Sequence, residues 1–279
     1  KWTKMGDIMT CKINADTSDG LKIVSDTSGE VVIQDNGTTR LTVGDTSTFT
    51  TDLTVTENNS NASTDITVLN SNGVATVGNE SKLHLGCTNS ATHGASVIAE
   101  FTGTANTNHL SDLIFKTTNS GSSLTETMRI HGSGAITAPL QPAFSAIPAS
   151  DQNDATGNGT NATVVFGTEI FDKNADFASN AFTAPVTGSY FLSASVTIHD
   201  VDANFTTGRL RIVTSNRSYM YEFDPAENIS GAGVGSYSAT VLADMDAADT
   251  AHVTIILFDS TLTVDIQVNG TFFQGYLVG

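Results

Sequence analysis

The stretch FTAPVTGSYFLSASV, residues 182–196, decides the fold of the C-terminal half of this chain. Its Pro and Gly mark a turn, and the run that follows alternates as a β-strand does. One face is predicted to carry Tyr190, Leu192, Ala194, Val196 and Ile198, and the other Phe191, Ser193, Ser195 and Thr197. The first face predicts a sandwich core. The second is small and hydroxylated apart from Phe191, which favours packing against another chain.

The rest of the sequence is also typical of an all-β protein. Short runs of Val, Ile, Thr and Phe recur between clusters of Gly, Asn, Asp and Ser, and helical signals are nearly absent. Residues 1–80 read as small tiles, such as EVVIQDNGTTRLTV, in which Asp35–Asn36–Gly37 predicts a hairpin turn. Each tile has too few apolar side chains to fold alone. We therefore expect an elongated trimeric β shaft, with a loosely packed linker as the alternative.

Residues 81–141 are predicted to form a β domain at the junction between this shaft and a C-terminal tip. ASVIAEFTG and SDLIFKTTNSG are predicted to be paired strands, and SLTETMRIHGSGAI follows them. The last string resembles a motif of bacteriophage tail-fibre and tail-spike proteins. The matching residues are Leu124, Thr125, Glu126, Met128, Arg129 and Ile130, and Thr127 stands where the motif has Arg. We expect Glu126 and Arg129 to form an ion pair within or between chains.

A boundary is predicted near Pro139 and Pro142, where strands lengthen and Phe becomes frequent. Residues 142–279 contain about eight to ten predicted strands, the scale of a jelly-roll β-sandwich head.

This head resembles the globular head of complement component one, subunit q, a family that shares the tumour-necrosis-factor-like jelly roll. The matching positions are Phe166, Asp172, Phe177, Phe182, Pro185, Gly188 and Tyr190. The spacing from Phe177 to Phe182 is two residues shorter than usual, and Leu192 replaces a Phe. PAFSA, residues 142–146, looks like the family's first strand. TFFQGYLV, residues 271–278, looks like its last, with Phe273, Gly275, Tyr276 and Leu277 in register.

The resemblance implies a tight homotrimer in which the last strand runs beside the first. In some relatives calcium lies near the trimer axis, held by the loop after the fourth strand. The segment YEFDPAENISG occupies that place, so Asp224 and Glu227 are the candidate calcium ligands. A solvated acidic loop is the alternative interpretation.

No enzyme motif is present, since the sequence lacks GxSxG, HExxH and a phosphate loop. Acid pairs such as Asp200–Asp202 and Asp244–Asp246 are expected to be solvated loop residues rather than glycosidase carboxylates. The formal net charge of −17 argues against nucleic-acid and anionic-membrane binding. No run of about 18 apolar residues exists to insert into a membrane. Two distant cysteines, Cys11 and Cys87, suit a reducing cytoplasm.

These observations favour a virion tail fibre, assembled in the host cytoplasm, over an enzyme. Its trimeric tip would bind a host glycan or outer-membrane protein, and its other end would join tail or baseplate proteins. Candidate receptor contacts are Tyr219, Tyr221, Asp224 and Tyr237, although Tyr219 and Tyr221 could equally be core or trimer contacts. The alternatives are a structural virion decoration or connector, and a secreted lectin or adhesin of a cell.

Overall fold

The structure is a computed structural model. Its described part consists of antiparallel strands and short turns. It describes residues 34–35, 38–39, 68, 76–86, 93–103, 110–118, 123–231 and 233–279. The chain divides into two compact units, Lys1–Ile66 and Thr67–Gly279. Among the described residues, no helix is both long and apolar enough to cross a membrane. The protein is all-β in these regions, apart from one short 3₁₀ turn, Ala226–Asn228.

The first strands are β1 (Gln34–Asp35), β2 (Thr38–Thr39), β3 (Glu80–Gly86), β4 (Gly94–Phe101), β5 (Ser111–Thr118), β6 (Leu124–Ile130) and β7 (Ile136–Thr137). Those after residue 142 are β8 (Ala143–Ile147), β9 (Gln152–Thr156), β10 (Ala162–Thr163), β11 (Thr168–Asp172), β12 (Phe177–Ala178), β13 (Ala181–Thr183), β14 (Gly188–His199), β15 (Thr207–Thr214), β16 (Ser218–Phe223), β17 (Gly235–Met245), β18 (Thr250–Phe258), β19 (Val264–Ile266) and β20 (Phe272–Leu277).

The C-terminal strands form a two-sheet sandwich of jelly-roll type. One sheet has the order β11-β8-β20-β14-β19-β9, and β17 pairs with the other edge of β14. The second has the order β12-β13-β18-β15-β16, and β10 also pairs with β18. The predicted neighbours are confirmed, because β20 pairs antiparallel with β8 from Phe273↔Ala146 to Tyr276↔Ala143.

An aromatic cluster fills the sandwich. The Phe144 ring stacks on Phe182 at 4.7 Å and on Phe177 at 5.1 Å between ring centroids. The edge of Phe273 meets Phe144 at 4.9 Å, and Phe166 lies 5.8 Å from Phe273. These rings come from distant points of the sequence and belong to one buried core. The aromatic positions of the resemblance are therefore core positions.

Strand β14 alternates as its sequence predicts. Its inward residues, Tyr190, Leu192, Ala194, Val196 and Ile198, are each 0% exposed. The turn before β14 provides a hydrogen-bond acceptor for Tyr190, whose hydroxyl donates to the Val186 carbonyl oxygen at 2.7 Å. That bond satisfies a polar group that burial would otherwise leave without a partner.

Asp172 shapes the turn that leads to Phe177. Its two carboxylate oxygens accept hydrogen bonds from the backbone N–H groups of Asp176 and Phe177, at 3.1 and 2.9 Å. Burial first, and the neighbouring Asp172 charge second, raise the pKa of Asp176. Asp172 is thus a turn-forming residue, which gives the acidic position of the resemblance a structural role.

The five-stranded sheet β3-β4-β5-β6-β7 has two unlike faces. Register places Glu100 opposite Asp112, Ile114 opposite Arg129, and Lys116 opposite Glu126 on one face. On that charged face, Ile98 and Ile114 are almost completely buried. The opposite face carries, among others, Leu83, Leu85, Val97, Leu113, Phe115, Met128, Ile130 and Ile136. The predicted pairing of ASVIAEFTG with SDLIFKTTNSG is confirmed, and the structure adds that SDLIFKTTNSG also pairs with LTETMRI.

Arg129 organises the charged face through three carboxylates. It forms a two-bond pair with Glu126, at 2.9 and 2.7 Å, and also donates to Glu100 at 2.8 Å and Asp112 at 2.7 Å. These bonds to Arg129 are the largest cause that holds the pKa values of Asp112 and Glu126 below their ordinary values of 3.8 and 4.5. The predicted Glu126–Arg129 pair is therefore present, and it lies within one chain.

Within the N-terminal tiles, residues 1–80, the structure describes one hairpin together with residues 68 and 76–80. Gln34 pairs with Thr39 and Asp35 with Thr38, antiparallel, as the Asp35–Asn36–Gly37 turn predicts. The other residues of the predicted shaft, and both cysteines, lie outside the described residues. The domain boundaries 1–80, 81–141 and 142–279 stay predictions.

Gly275 is a position where the core leaves no room for a side chain. A Cβ there would lie 2.8 Å from the Phe191 carbonyl oxygen and 2.9 Å from Phe144 Cε1. We expect Gly275→Ala to lower the free energy of unfolding by about 1–3 kcal/mol, because an overpacked core must shift. Chemical denaturation measures this. Gly231→Ala, where a Cβ meets nothing within 4 Å, is the control. Equal stability of the two variants would contradict the close packing at Gly275.

Removing the Arg129 cation should loosen the five-stranded sheet in a pH-dependent way. In the unmodified chain, the depressed pKa values of Asp112 and Glu126 give stability above their ordinary values of 3.8 and 4.5, and this stability is lost as pH falls through the lower folded values. Arg129→Met leaves three carboxylates together. We therefore expect faster amide hydrogen exchange in β5 and β6 at pH 7, with the difference from the unmodified chain narrowing toward pH 4.

The control for this variant is Arg217→Met. Arg217 pairs with Asp244 at 2.7 Å, but both side chains are more than half exposed. An exposed pair contributes little, so exchange in its strands should barely change. Exchange in β5 and β6 that Arg129→Met leaves unaltered would contradict the organising role of Arg129.

Candidate binding surfaces

A tyrosine slot opens between the edge strands β16 and β17, where the two sheets of the sandwich part. We define it by Tyr219, Tyr221, Ala239 and Val241, and its volume is about 230 Å³. Tyr221 is 47% exposed, and Tyr219 is half-buried. Tyrosines combine a large apolar surface with a hydrogen-bonding tip, which suits recognition surfaces. The structure thus brings two of the four predicted contact residues together.

A polar rim borders the slot. The Tyr219 hydroxyl donates to Asp244 Oδ1 at 3.3 Å, and Arg217 pairs with the same carboxylate. Burial is the largest cause that raises the pKa of Tyr219, so its hydroxyl stays protonated at neutral pH. The slot therefore presents aromatic surface beside the Arg217–Asp244 ion pair.

Tyr237 corrects the sequence-based contact surface. It is only 4% exposed and stacks on Phe223, with ring centroids 3.6 Å apart. Its hydroxyl donates to the Pro225 carbonyl oxygen at 3.3 Å, and burial raises its pKa. The strand alternation of β17 turns this side chain inward. Tyr237 is therefore a core residue that supports the acidic loop and not a receptor contact.

The candidate calcium ligands lie in and just before the 3₁₀ turn that follows β16. Asp224 accepts a hydrogen bond from the backbone N–H of Ala226 at 2.9 Å, and Glu227 is exposed. In the described part of the chain, no group of three or more acidic, His or Cys side chains could hold a metal ion. Two carboxylates alone fall short of the six to eight oxygens that Ca²⁺ takes, so the other ligands would be carbonyl oxygens, waters or groups of further copies. Calcium at Asp224 and Glu227 stays a prediction.

An apolar patch lies on the outer face of the β11-β8-β20-β14 sheet. Its members, which we call the outer patch, are Phe171, Phe191, Leu242 and Tyr276. Register places Phe191 beside both Tyr276 and Leu242, and the Phe191 and Tyr276 rings are 5.3 Å apart. Leu242 is 61% exposed, and Tyr276 and Phe171 are each about half exposed. A contiguous exposed patch of this kind marks an interaction surface.

Small hydroxylated side chains continue this face along β14 and β17. Thr197 bonds to Ser236 at 2.8 Å, Ser195 to Ser238 at 3.2 Å, and Ser193 to Thr240 at 3.3 Å. These pairs satisfy one another across the two strands, and Ser195 and Thr197 are themselves buried, each 7% exposed. The sequence prediction that Ser193, Ser195 and Thr197 share a face with Phe191 is confirmed.

A cleft of about 490 Å³ lies beside the linker between the five-stranded sheet and the sandwich. Its lining includes Thr117, Leu140, Asn174, Val186 and Leu277, together with four more residues of which none is charged. Such a lining offers hydrogen bonds and apolar contact but no proton transfer, for which a titratable group is needed.

The acid pairs weighed as glycosidase carboxylates have structural partners. Asp202 accepts from the Asn204 backbone N–H at 3.0 Å, and Asp249 accepts from the Asp246 backbone N–H at 2.9 Å. Asp244 belongs to the rim of the tyrosine slot. These carboxylates therefore shape turns and pairs at the surface.

Sequence reasoning missed three members of the outer patch and two of the Arg129 partners. Leu242 and Tyr276 could have been found by aligning the alternation of their strands with that of Phe191. Glu100 and Asp112 lie on other strands than Arg129, and only the register shows that they meet.

Comparison with known proteins gives likenesses of fold. No protein-family model matches the chain, and neither does any curated protein sequence. Among solved structures, the globular domain of zebrafish complement 1qA protein has 18% identity and a TM-score of 0.36, covering 50% of this chain and 98% of that chain. Murine APRIL at pH 8.0 has 13% identity and a TM-score of 0.37, covering 50% of this chain and 99% of that chain. The β-sandwich assignment itself rests on the strand order and register given above.

Proposed function

We propose that this chain is a virion fibre protein, of the bacteriophage tail-fibre kind, whose trimeric sandwich head binds a receptor on the host-cell surface. The observation that carries the proposal is the outer patch, which leaves three aromatic rings and Leu242 on one sheet face of a single chain. The tail-fibre-like string at residues 124–130 supports the placement in a virion. Adhesion, rather than catalysis, is the proposed activity.

The chemistry of the outer face supports the proposed homotrimer. Phe171, Phe191 and Tyr276 are costly to leave in water, and the hydroxyl pairs beside them are already satisfied. A second copy can cover this face without desolvating an unpaired charge. In a closed ring of three copies, each pair of neighbouring chains makes one contact of this kind. The ring leaves no contact open, so the assembly stops at three chains.

Receptor binding is assigned to the tyrosine slot and the loops beside it. Tyr221 and Tyr219 provide aromatic surface, and the Arg217–Asp244 pair provides fixed polar groups. Three identical heads give three weak sites on one particle, and their joint engagement raises the effective affinity. A host glycan or an outer-membrane protein is the proposed ligand class.

Solution mass tests the trimer. We expect light scattering on the purified chain to give a mass near three times 29.1 kDa. Leu242→Lys should shift the mass toward one chain, because it places an ammonium in the proposed contact. Leu262→Lys, at an exposed Leu of a loop outside the outer patch, should leave the trimer intact. A monomeric unmodified chain would refute the trimer and with it the multivalent mechanism.

Exchange of the head tests receptor binding. A tail fibre that carries residues 142–279 in place of its own tip should gain adsorption to this chain's host cells. In that chimera Tyr221→Ser should weaken adsorption, since it removes the exposed ring from the slot. The matched Tyr276→Ser variant changes the outer patch instead. It should shift the solution mass of the protein from three chains toward one. An exchange that leaves host range unaltered would favour a structural decoration or connector role.

A further inference from the structure

We propose that the apolar face of the five-stranded sheet is a second contact surface between copies of this chain, so that three such sheets pack together beside the heads. This apolar junction face is defined by Leu83, Leu85, Leu113, Phe115, Ile130 and Ile136. The inference rests on the proposed homotrimer and adds to it a contact outside the sandwich.

The two faces of this sheet are the reverse of an ordinary half-buried sheet, in which the apolar face packs on a core and the polar face meets water. Leu83 is 53% exposed, Leu85 is 55% exposed and Ile136 is 62% exposed. On the charged face, by contrast, Ile98 and Ile114 are buried and Arg129 holds its three carboxylates. In the described part of the chain, the apolar junction face thus keeps four of its six side chains exposed: Leu83, Leu85, Leu113 and Ile136.

Charge separation favours another copy of the same chain as the cover. Each chain carries a formal net charge of −17, so copies repel wherever acidic surfaces meet. Every charged side chain of strands β3 to β6 points to the other face by register. The apolar junction face is therefore a surface on which two such acidic chains can touch without bringing like charges together.

The linker between β7 and β8 keeps the five-stranded sheet close to the sandwich. Five residues, 138–142, join β7 to β8 and span at most about 18 Å. They are bound to the sandwich, because the Leu140 carbonyl oxygen accepts from Asn174 at 3.0 Å and the Pro142 carbonyl oxygen accepts from the Leu277 N–H at 3.1 Å. Strand β20, which ends at Leu277, also carries Tyr276 of the outer patch. Association through the outer patch therefore brings the sheets of three copies to a high effective concentration.

A charge-insertion experiment on the full chain tests this contact. Leu83→Lys combined with Leu113→Lys should speed amide exchange in β3 to β5 at least tenfold, because ammonium groups would be forced into the contact. The control is Leu262→Lys, at a side chain that is 51% exposed, against 53% for Leu83. If the apolar junction face instead faces water, the two substitutions should leave stability, and so the exchange rates, nearly unchanged. Unaltered exchange in a chain that is trimeric by mass would overturn the junction contact and leave the trimer standing.

Crosslinking gives a second readout that does not depend on destabilisation. In a chain with Cys11→Ser and Cys87→Ser, Leu113→Cys lies on the central strand of the apolar junction face. A short bismaleimide should join Leu113→Cys chains into covalent dimers and not join Leu262→Cys chains. A trimeric chain without crosslinks at position 113 would overturn the inference. A monomeric mass would instead refute the proposed trimer.

Discussion

The stack of aromatic rings around Phe144 is the interaction on which the rest of the head depends. Phe177 and Phe182 stack on it and Phe273 makes a T-shaped contact with it, so strands far apart in the sequence are joined at one point. Once these rings are packed, β20 must lie beside β8, and Gly275 must pass over Phe144 without a side chain. The tyrosine slot and the outer patch then arise at the open edge and outer face of the same sandwich.

Local patterns were sufficient to predict the strands and their faces. The alternation in residues 188–198 predicts which side chains enter the core, and the turn before it predicts where β14 begins. The same logic paired β4 with β5, whereas the pairing of β5 with β6 was found only in the structure. The signal is strong in β14, because its inward residues all enter the core and a shift by one residue would expose them.

Surface function is harder to predict, since it depends on residues that meet only through register. Tyr237 looked like a loop tyrosine, yet its strand turns it inward onto Phe223. The single pair predicted for Arg129 is part of a cluster with Glu100 and Asp112, which come from two other strands. Composition cannot reveal such groupings, because in a Thr- and Asn-rich sequence every Asp and Glu has similar polar, uncharged neighbours along the chain.

The position of β8 has a mechanical consequence. In the fibre proposed above, receptor binding would pull the chain along its length, and the load would reach the head through the linker at Ala143. There β8 lies between β11 and β20, with ladders on both sides. Because antiparallel hydrogen bonds run perpendicular to the strands, a pull along β8 shears both ladders at once instead of opening them one bond at a time. The strand that tethers the head is thus also placed where it resists force best.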